Sequence, residues 1–234
     1  MHGSFNHTSN GDRWALAATT AAVTVAIVLI GTKLVAWRLS GSAAILGSLA
    51  DSGLDLIGSL IAFAGVRWAQ EPPDAEHRFG HHKAEAMAGL AQVMLILASA
   101  LYVFKESVVR LFAPEPLAAG NFAMGVMLLS LVLSVGLVLV QSIAIRKSQS
   151  LAVEGDRAHY IGDIIANAGT LLAVFLAVQY GWLRADALAG IAAALFLGWA
   201  ALSIARRVIP QLMDEELSTS KRRRIAKIVM ADED

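Results

Sequence analysis

Four residues whose side chains can bind a metal ion lie within long apolar stretches of the sequence. Asp51 and Asp55 form one pair, His159 and Asp163 form another, and each pair has the spacing i, i+4. On an α-helix this spacing places both side chains on one face, one turn apart. Three carboxylates and one imidazole provide the oxygen and nitrogen donors that divalent metal ions accept. The two pairs therefore predict a shared metal site.

A simpler alternative is that these polar side chains only join helices by hydrogen bonds. An ionisable group at the centre of a bilayer costs about 2.5–3.5 kcal/mol on insertion scales, so two such pairs indicate a common function. Three carboxylates without a counter-charge repel one another, and a bound dication removes that repulsion. Because protons and metal compete for the same lone pairs, the donor set predicts metal that is released when protons bind. We expect a transported dication, with protons as the counter-ion.

The composition indicates a membrane protein. Of 234 residues, 56% are hydrophobic and 16% are charged, and the mean hydropathy is +0.60. The apolar residues form long runs rather than amphipathic stripes, which excludes a soluble domain. The absence of cysteine excludes disulfides and thiolate metal sites. Residues 1–13 are polar and lack an apolar core, so we expect a cytoplasmic tail rather than a cleavable signal peptide.

The apolar runs predict an all-α, polytopic membrane protein with six transmembrane helices, because each span needs about 20 residues. We expect a transmembrane domain over residues 14–212 and a short cytoplasmic tail over residues 213–234. The helices are predicted at Trp14–Trp37, Ala44–Trp68, Lys83–Phe112, Ala119–Ile145, Leu151–Tyr180 and Ala185–Val208.

The distribution of basic residues predicts the orientation. Lys and Arg are concentrated near helix ends on the side of the N-terminus, whereas the opposite side has only Arg38, Arg110 and Arg184. By the positive-inside rule both termini face the cytoplasm, and we expect the chain in the cell inner membrane. Asp55 then lies about 16 Å along its helix from the outer face, and His159 about 12 Å along its helix from the inner face. Both pairs therefore approach the middle of an apolar core of roughly 30 Å.

The loop between the second and third helices offers further metal donors. Asp74, His77 and His81 are spaced so that three ligands can converge around a turn. A solvated loop rich in histidine is the alternative. Asp156, one turn before His159, either guides cations, orients that histidine, or is a solvated residue near a helix start.

These motifs together resemble the cation diffusion facilitator family, in particular its bacterial zinc and iron efflux branch. The resemblance depends on the Asp-x-x-x-Asp motif at 51–55, the His-x-x-x-Asp motif at 159–163, and the loop sequence at 77–85. It covers about residues 14–217. Each four-residue pattern is weak alone, whereas the combination is specific.

The resemblance implies a homodimer of six-helix protomers, with no cofactor and with zinc, cadmium or ferrous iron as the transported substrate. It also implies a charge interlock between protomers formed by Lys83 and Asp214, for which two exposed charges of little energetic value are the alternative. It implies tetrahedral coordination by Asp51, Asp55, His159 and Asp163, and a loop site at Asp74, His77 and His81.

The family pattern continues into a soluble cytoplasmic domain, whereas this sequence offers only residues 214–234 beyond the helices. So short a segment cannot build a core, so we expect either a truncated chain or a member that lacks the domain. The basic cluster at residues 221–224 predicts contact with anionic lipid headgroups rather than with nucleic acid.

A secondary active transporter that exports a dication by alternating access is the leading prediction. An intramembrane metalloenzyme is the second class, and it is disfavoured because the sequence has no HExxH pair and no nucleophile beside a base. A passive channel is the third class. It would show neither saturation nor proton dependence.

Overall fold

The structure is a computed structural model, and it describes residues 10–41, 43–113, 121–182, 184–216, 222–223 and 228–229. Within these ranges the chain is all-α, and its six helices are each long and apolar enough to cross a membrane. The prediction of an all-α chain with six spans is therefore confirmed. The helices are α1 (Asn10–Ser40), α2 (Ala43–Ala69), α3 (Lys83–Phe112), α4 (Asn121–Ser148), α5 (Leu151–Tyr180) and α6 (Ala185–Leu212).

The predicted helix ends agree with the observed ones to within four residues wherever both are described. The predicted start of α4 at Ala119 lies outside the described residues, as do most of the segment 1–13 and most of the basic cluster at 221–224. The sixth helix was predicted to end at Val208 but continues to Leu212, with Pro210 inside its last turns. Proline removes only one backbone donor there, so the helix continues for about one turn past the predicted end.

Three sharp helix ends fix where the spans begin and stop. Gly41 and Gly181 have φ values of +63° and +68° and follow the ends of α1 and α5, a conformation that suits glycine. Gln149 has a φ of 56° after α4, and its N–H donates to the carbonyl of Ile145 at 2.8 Å. Ser150 then caps α5, because its Oγ accepts from the N–H of Val153 at 3.3 Å.

Small residues line the contacts between helices. α3 packs along α6, α1 packs along α2 and α4, and α5 contacts α2, α4 and α6. The buried residues of these contacts are mostly alanines, which let helix backbones approach closely in a bilayer. Gly65 of α2 is the tightest such position for the α2–α3 pair, because a Cβ there would overlap the Cβ of Ala88.

Candidate metal centre

The centre of the molecule is the contact between α2 and α5. Asp55 of α2 meets His159 of α5, and one turn further along α2, Ser59 meets Tyr160 and Asp156. Moving forward along α2 therefore means moving backward along α5, so the two helices run antiparallel. Asp55 lies about 18 Å from the start of α2 and His159 about 12 Å from the start of α5, which brings both close to the middle of the bilayer.

Three predicted ligands converge at this contact. Asp55, His159 and Asp163 each offer a ligand atom, and these atoms all lie within 4.8 Å of one another. His159 Nε2 is 2.7 Å from Asp55 Oδ1 and 3.9 Å from Asp163 Oδ2. Within the described residues the other ring nitrogen, Nδ1, is buried without a hydrogen-bond partner. One imidazole nitrogen and two carboxylates thus face a common point, an arrangement that can hold a dication.

Asp51 lies outside this cluster. It shares the α2 face with Asp55, one turn nearer the start of the helix, and its side chain is exposed. Its charge interacts with those of Asp55 and His159, so it stands within electrostatic range of the cluster. The structure therefore brings together three of the four predicted ligands and leaves the fourth beside them.

Exposure rises across the site in one direction. The side chains of Asp55 and His159 are 10% and 13% exposed, whereas that of Asp163 is 32% exposed. Asp51 is exposed, and both Asp51 and Asp163 lie on the side predicted to face outward. On the other side, Ser59 and Tyr160 are fully buried. The cluster is open toward the predicted outer face and closed toward the predicted cytoplasmic face.

Asp156 belongs to the closed side. It is 1% exposed, so the alternative of a solvated residue near a helix start is wrong. Its Oδ1 accepts a hydrogen bond from Ser59 Oγ at 2.9 Å, and its Oδ2 accepts one from Gln141 Nε2 at 2.7 Å. These partners tie α5 to α2 and α4 directly beneath the cluster. Its carboxylate thus serves a packed polar network rather than a solvated entry.

Gln92 of α3 is a buried support that the sequence motifs did not reveal. Its Nε2 donates to the carbonyl of Gly58 at 2.6 Å. The absence of a side chain at Gly155 makes room for it, since a Cβ there would lie 2.7 Å from the Cβ of Gln92. The Gln92 side chain therefore contacts both α2 and α5 about one turn from the ligands. The only sequence feature that could have indicated this support is a polar glutamine within an apolar span.

Lys33 of α1 is the second residue that sequence reasoning missed. It is 6% exposed, and its Nζ donates to Ser52 Oγ at 2.7 Å and to the carbonyl of Ser48 at 3.0 Å. Ser52 lies between the two aspartates of α2. The charge of Lys33 interacts with those of the three site carboxylates.

A second cluster forms in the loop between α2 and α3. Asp74, His77 and His81 offer ligand atoms that all lie within 4.8 Å of one another. Asp74 Oδ1 is 3.2 Å from His77 Nδ1, and Asp74 Oδ2 is 3.4 Å from His81 Nε2. The three residues thus converge around a turn, as their spacing predicted.

The loop geometry also fixes the charge of Asp74. The backbone N–H groups of His77 and Glu76 donate to Asp74 Oδ1, and the first of these contributes most to lowering the pKa of that carboxyl. His81 is buried and its ring lies 4.4 Å from that of His77, between centroids. The carboxylate is therefore an ionised potential metal ligand beside two imidazoles.

Lys83 and Asp214 form an ion pair at the predicted cytoplasmic end of the bundle. Lys83 Nζ lies 2.7 Å from Asp214 Oδ2, and it also donates to the carbonyl of Leu212 at 3.5 Å. The pair joins the start of α3 to the end of α6 within one chain, and both side chains are more than half exposed. The predicted role between protomers is not tested by this contact.

Comparison with known protein families aligns residues 19–213 with the cation efflux transmembrane domain. This match covers most of the chain and both aspartate and histidine motifs. The chain belongs to the cation efflux family. Members of this family are transporters rather than enzymes, so the prediction that the chain is not an enzyme is confirmed.

The chain is also similar to bacterial cation-efflux pumps named FieF. It is 40% identical over 225 residues to the pump of Shewanella oneidensis, covering 96% of this chain and 76% of that protein. It is 40% identical over 214 residues to the pump of Klebsiella pneumoniae subsp. pneumoniae, covering 92% of this chain and 71% of that protein. The Salmonella arizonae pump is 38% identical over 212 residues, covering 91% of this chain and 70% of that protein.

These relationships and the six spans together identify a cation efflux transporter of the inner membrane that crosses the bilayer several times. The resemblance to the cation diffusion facilitator family is thereby confirmed. Its substrates are metal cations, and its activity is metal export.

Proposed function

We propose that this transporter exports zinc, or a chemically similar dication such as cadmium or ferrous iron, from the cytoplasm in exchange for protons. Asp51, Asp55, His159 and Asp163 are the proposed ligands. One observation carries the proposal, namely the convergence of Asp55, His159 and Asp163 ligand atoms within 4.8 Å. An imidazole with carboxylates suits zinc and its neighbours better than calcium or magnesium, which prefer oxygen alone.

Asp51 completes the proposed coordination sphere. It is one helical turn from Asp55 on the same face, and its charge already interacts with that of Asp55. Zinc in a four-ligand site takes a tetrahedral arrangement, for which the three converged residues leave one position open. A dication in the cluster attracts the Asp51 carboxylate, and a small movement of α2 brings its oxygen to the metal.

The uneven exposure of the site supports a mechanism of alternating access. In this conformation the cluster is open toward the predicted outer face and closed by the Asp156 network on the other side. Export requires a second conformation, in which α2 and α5 separate at the Asp156 side and close near Asp51. Protons that enter from outside bind the same oxygens and nitrogen as the metal, and so displace it.

The loop cluster is proposed as a second zinc site, held by Asp74, His77 and His81. Its position beside the predicted cytoplasmic end of the bundle suits a regulatory rather than a transporting site. We further propose that two copies of the chain form a homodimer, and that the Lys83–Asp214 pair holds the α3 and α6 ends in the shape that the interface needs. Exposed pairs of this kind contribute about 0–1 kcal/mol, so the pair orients the ends more than it stabilises them.

Zinc flux in proteoliposomes tests the proposal. Vesicles with an acidic lumen are loaded with a zinc-sensitive dye and a pH dye, and zinc is then added outside. We expect zinc to enter as protons leave, and a protonophore to abolish the zinc-dependent change in luminal pH. Zinc entry that leaves the luminal pH unchanged would refute the exchange with protons.

Two variants in the same assay distinguish the loss of a metal ligand from a general effect on the fold. Asp163→Asn removes one proposed ligand and should abolish flux. Glu106→Gln is the matched control, because Glu106 also lies on a membrane helix but pairs with Arg110 at 3.1 Å, away from the cluster. Equal flux in both variants would contradict the ligand assignment.

A further inference from the structure

Lys33 is the buried cation nearest to the proposed site in the described part of the chain. It is 6% exposed and lies within α1, about 10 Å from the predicted outer end of that helix. Burying an ammonium in an apolar medium is costly unless opposite charge and hydrogen bonds compensate it. A lysine at this depth therefore needs partners.

The hydrogen bonds of Lys33 leave its charge free to act on the site. Its Nζ donates to Ser52 Oγ at 2.7 Å and to the carbonyl of Ser48 at 3.0 Å. Both acceptors are neutral, so these contacts hold the ammonium in place without cancelling its charge. Both also belong to α2, on either side of Asp51, so the ammonium is fixed to the helix that carries two of the proposed ligands.

The charge balance of the site indicates what Lys33 does. A dication neutralises two of the three carboxylates of Asp51, Asp55 and Asp163, and one negative charge is left over. The charge of Lys33 interacts with those of all three. One fixed cation beside three carboxylates therefore balances the loaded site. The same cation repels the metal, which lowers the affinity from the very high value that three unopposed carboxylates would give.

We infer that Lys33 is a tethered counter-cation, which sets the metal affinity of the transport site low enough for release. This inference rests on the proposed function, because it assumes that the carboxylates hold the cargo. Lys33 does not touch the metal and acts through the electrostatic field. It is a positioning and affinity-setting residue rather than a ligand.

Neutralising Lys33 tests the inference by the sign of its effect. Lys33→Met keeps the length of the side chain and removes the charge, and Lys33→Arg keeps the charge. Zinc affinity is measured on the full-length protein at about pH 7, with His77→Ala present to remove loop binding. We expect Lys33→Met to tighten zinc binding by on the order of tenfold or more, and Lys33→Arg to stay close to the parent protein.

Transport gives a second readout that a merely structural role would not produce. Tighter binding slows release, so Lys33→Met should lower both the KM for zinc and the maximal flux. Ser52→Ala is the matched control, since it removes the hydrogen bond and keeps the charge, and it should not tighten binding. If Lys33→Met fails to accumulate in the membrane, Lys33→Gln provides the neutral comparison and keeps a donor for Ser52.

The outcomes are distinct. Unchanged or weaker zinc binding in Lys33→Met and Lys33→Gln overturns the inference, and so does equal tightening in Lys33→Arg. Zinc binding that survives Asp163→Asn unchanged overturns the proposed ligand set instead. The two failures are therefore separable in one set of titrations.

Discussion

Replacing Asp163 with asparagine removes one charge and one strong donor from the proposed site while keeping the shape of the side chain. Asp163 lies with Asp55 and His159 in the cluster whose ligand atoms fall within 4.8 Å, so a metal there would contact it directly. Its side chain is 32% exposed, so the neutral amide can be solvated, and the fold should tolerate the change. The effect should therefore appear in metal binding.

The magnitude follows from the energetics of zinc sites with four ligands. Such sites bind zinc with apparent free energies of about 10–16 kcal/mol, or roughly 2.5–4 kcal/mol for each ligand. At about 1.4 kcal/mol for each factor of ten, the loss of one ligand weakens binding on the order of a hundredfold to a thousandfold. The amide oxygen of asparagine retains some affinity, so we expect a Kd about a hundredfold higher.

Competition with a chelating dye measures this change on the purified protein. His77→Ala is included in every sample so that the loop cluster does not bind zinc. Glu106→Gln serves as the control for an altered carboxylate on a membrane helix. A Kd for Asp163→Asn within about threefold of the control would refute the assignment of this residue as a ligand.

Three other predictions concern the ligand type, the loop and the helix packing. His159→Asp should shift the flux preference from zinc toward manganese, because an all-oxygen site favours harder ions; an unchanged metal panel would count against the imidazole. The lowered pKa of Asp74 means that its turn is stabilised above the ordinary pKa of about 3.9 and lost only as pH falls through the lowered value. The hydrogen-bonded Glu76 amide should therefore stay protected from exchange with solvent from pH 7 to about 4, and an earlier loss of protection would contradict this. Gly65→Ala should destabilise the bundle by about 1–3 kcal/mol in thermal unfolding, unlike Gly136→Ala, which meets no neighbour within 4 Å.

The fold was predictable because the membrane restricts the choice of structure. Backbone groups in lipid must bond within their own helix, so each long apolar run had one available form. The bounds of α3 and α5 were predicted to the residue, because Lys83 and Ser150–Leu151 mark abrupt changes from loop to apolar helix. The extension of α6 past Pro210 was missed, since a proline near a helix end removes only one hydrogen bond.

The cluster of Asp55, His159 and Asp163 was predictable for a related reason. Spacing of i, i+4 fixes a common helix face, and helix direction with a constant rise fixes the depth of each residue. The shared helix face and the depth of each residue can both be read from the sequence. The position of Asp51 relative to α5 could not be read from the sequence, because it depends on how far α2 and α5 are shifted along each other when they pack.

The supporting polar residues could not be placed from the sequence. The sequence left Asp156 open between guiding cations, orienting His159 and being solvated near a helix start. Its burial follows only from Ser59 and Gln141, which come from two other helices. Lys33 is a single basic residue within an apolar run, and it belongs to none of the motifs that the sequence analysis identified. Its actual contact with Ser52 depends on the close packing of α1 on α2, which no spacing in the chain records.

A zinc-bound crystal structure with anomalous diffraction data at the zinc edge tests the central claim most directly. We expect a strong anomalous peak between α2 and α5, about 2.0–2.2 Å from His159 Nε2 and from oxygens of Asp55 and Asp163. Asp51 should supply the fourth ligand. Zinc density confined to the loop at Asp74, His77 and His81, with none between α2 and α5, would contradict the claim.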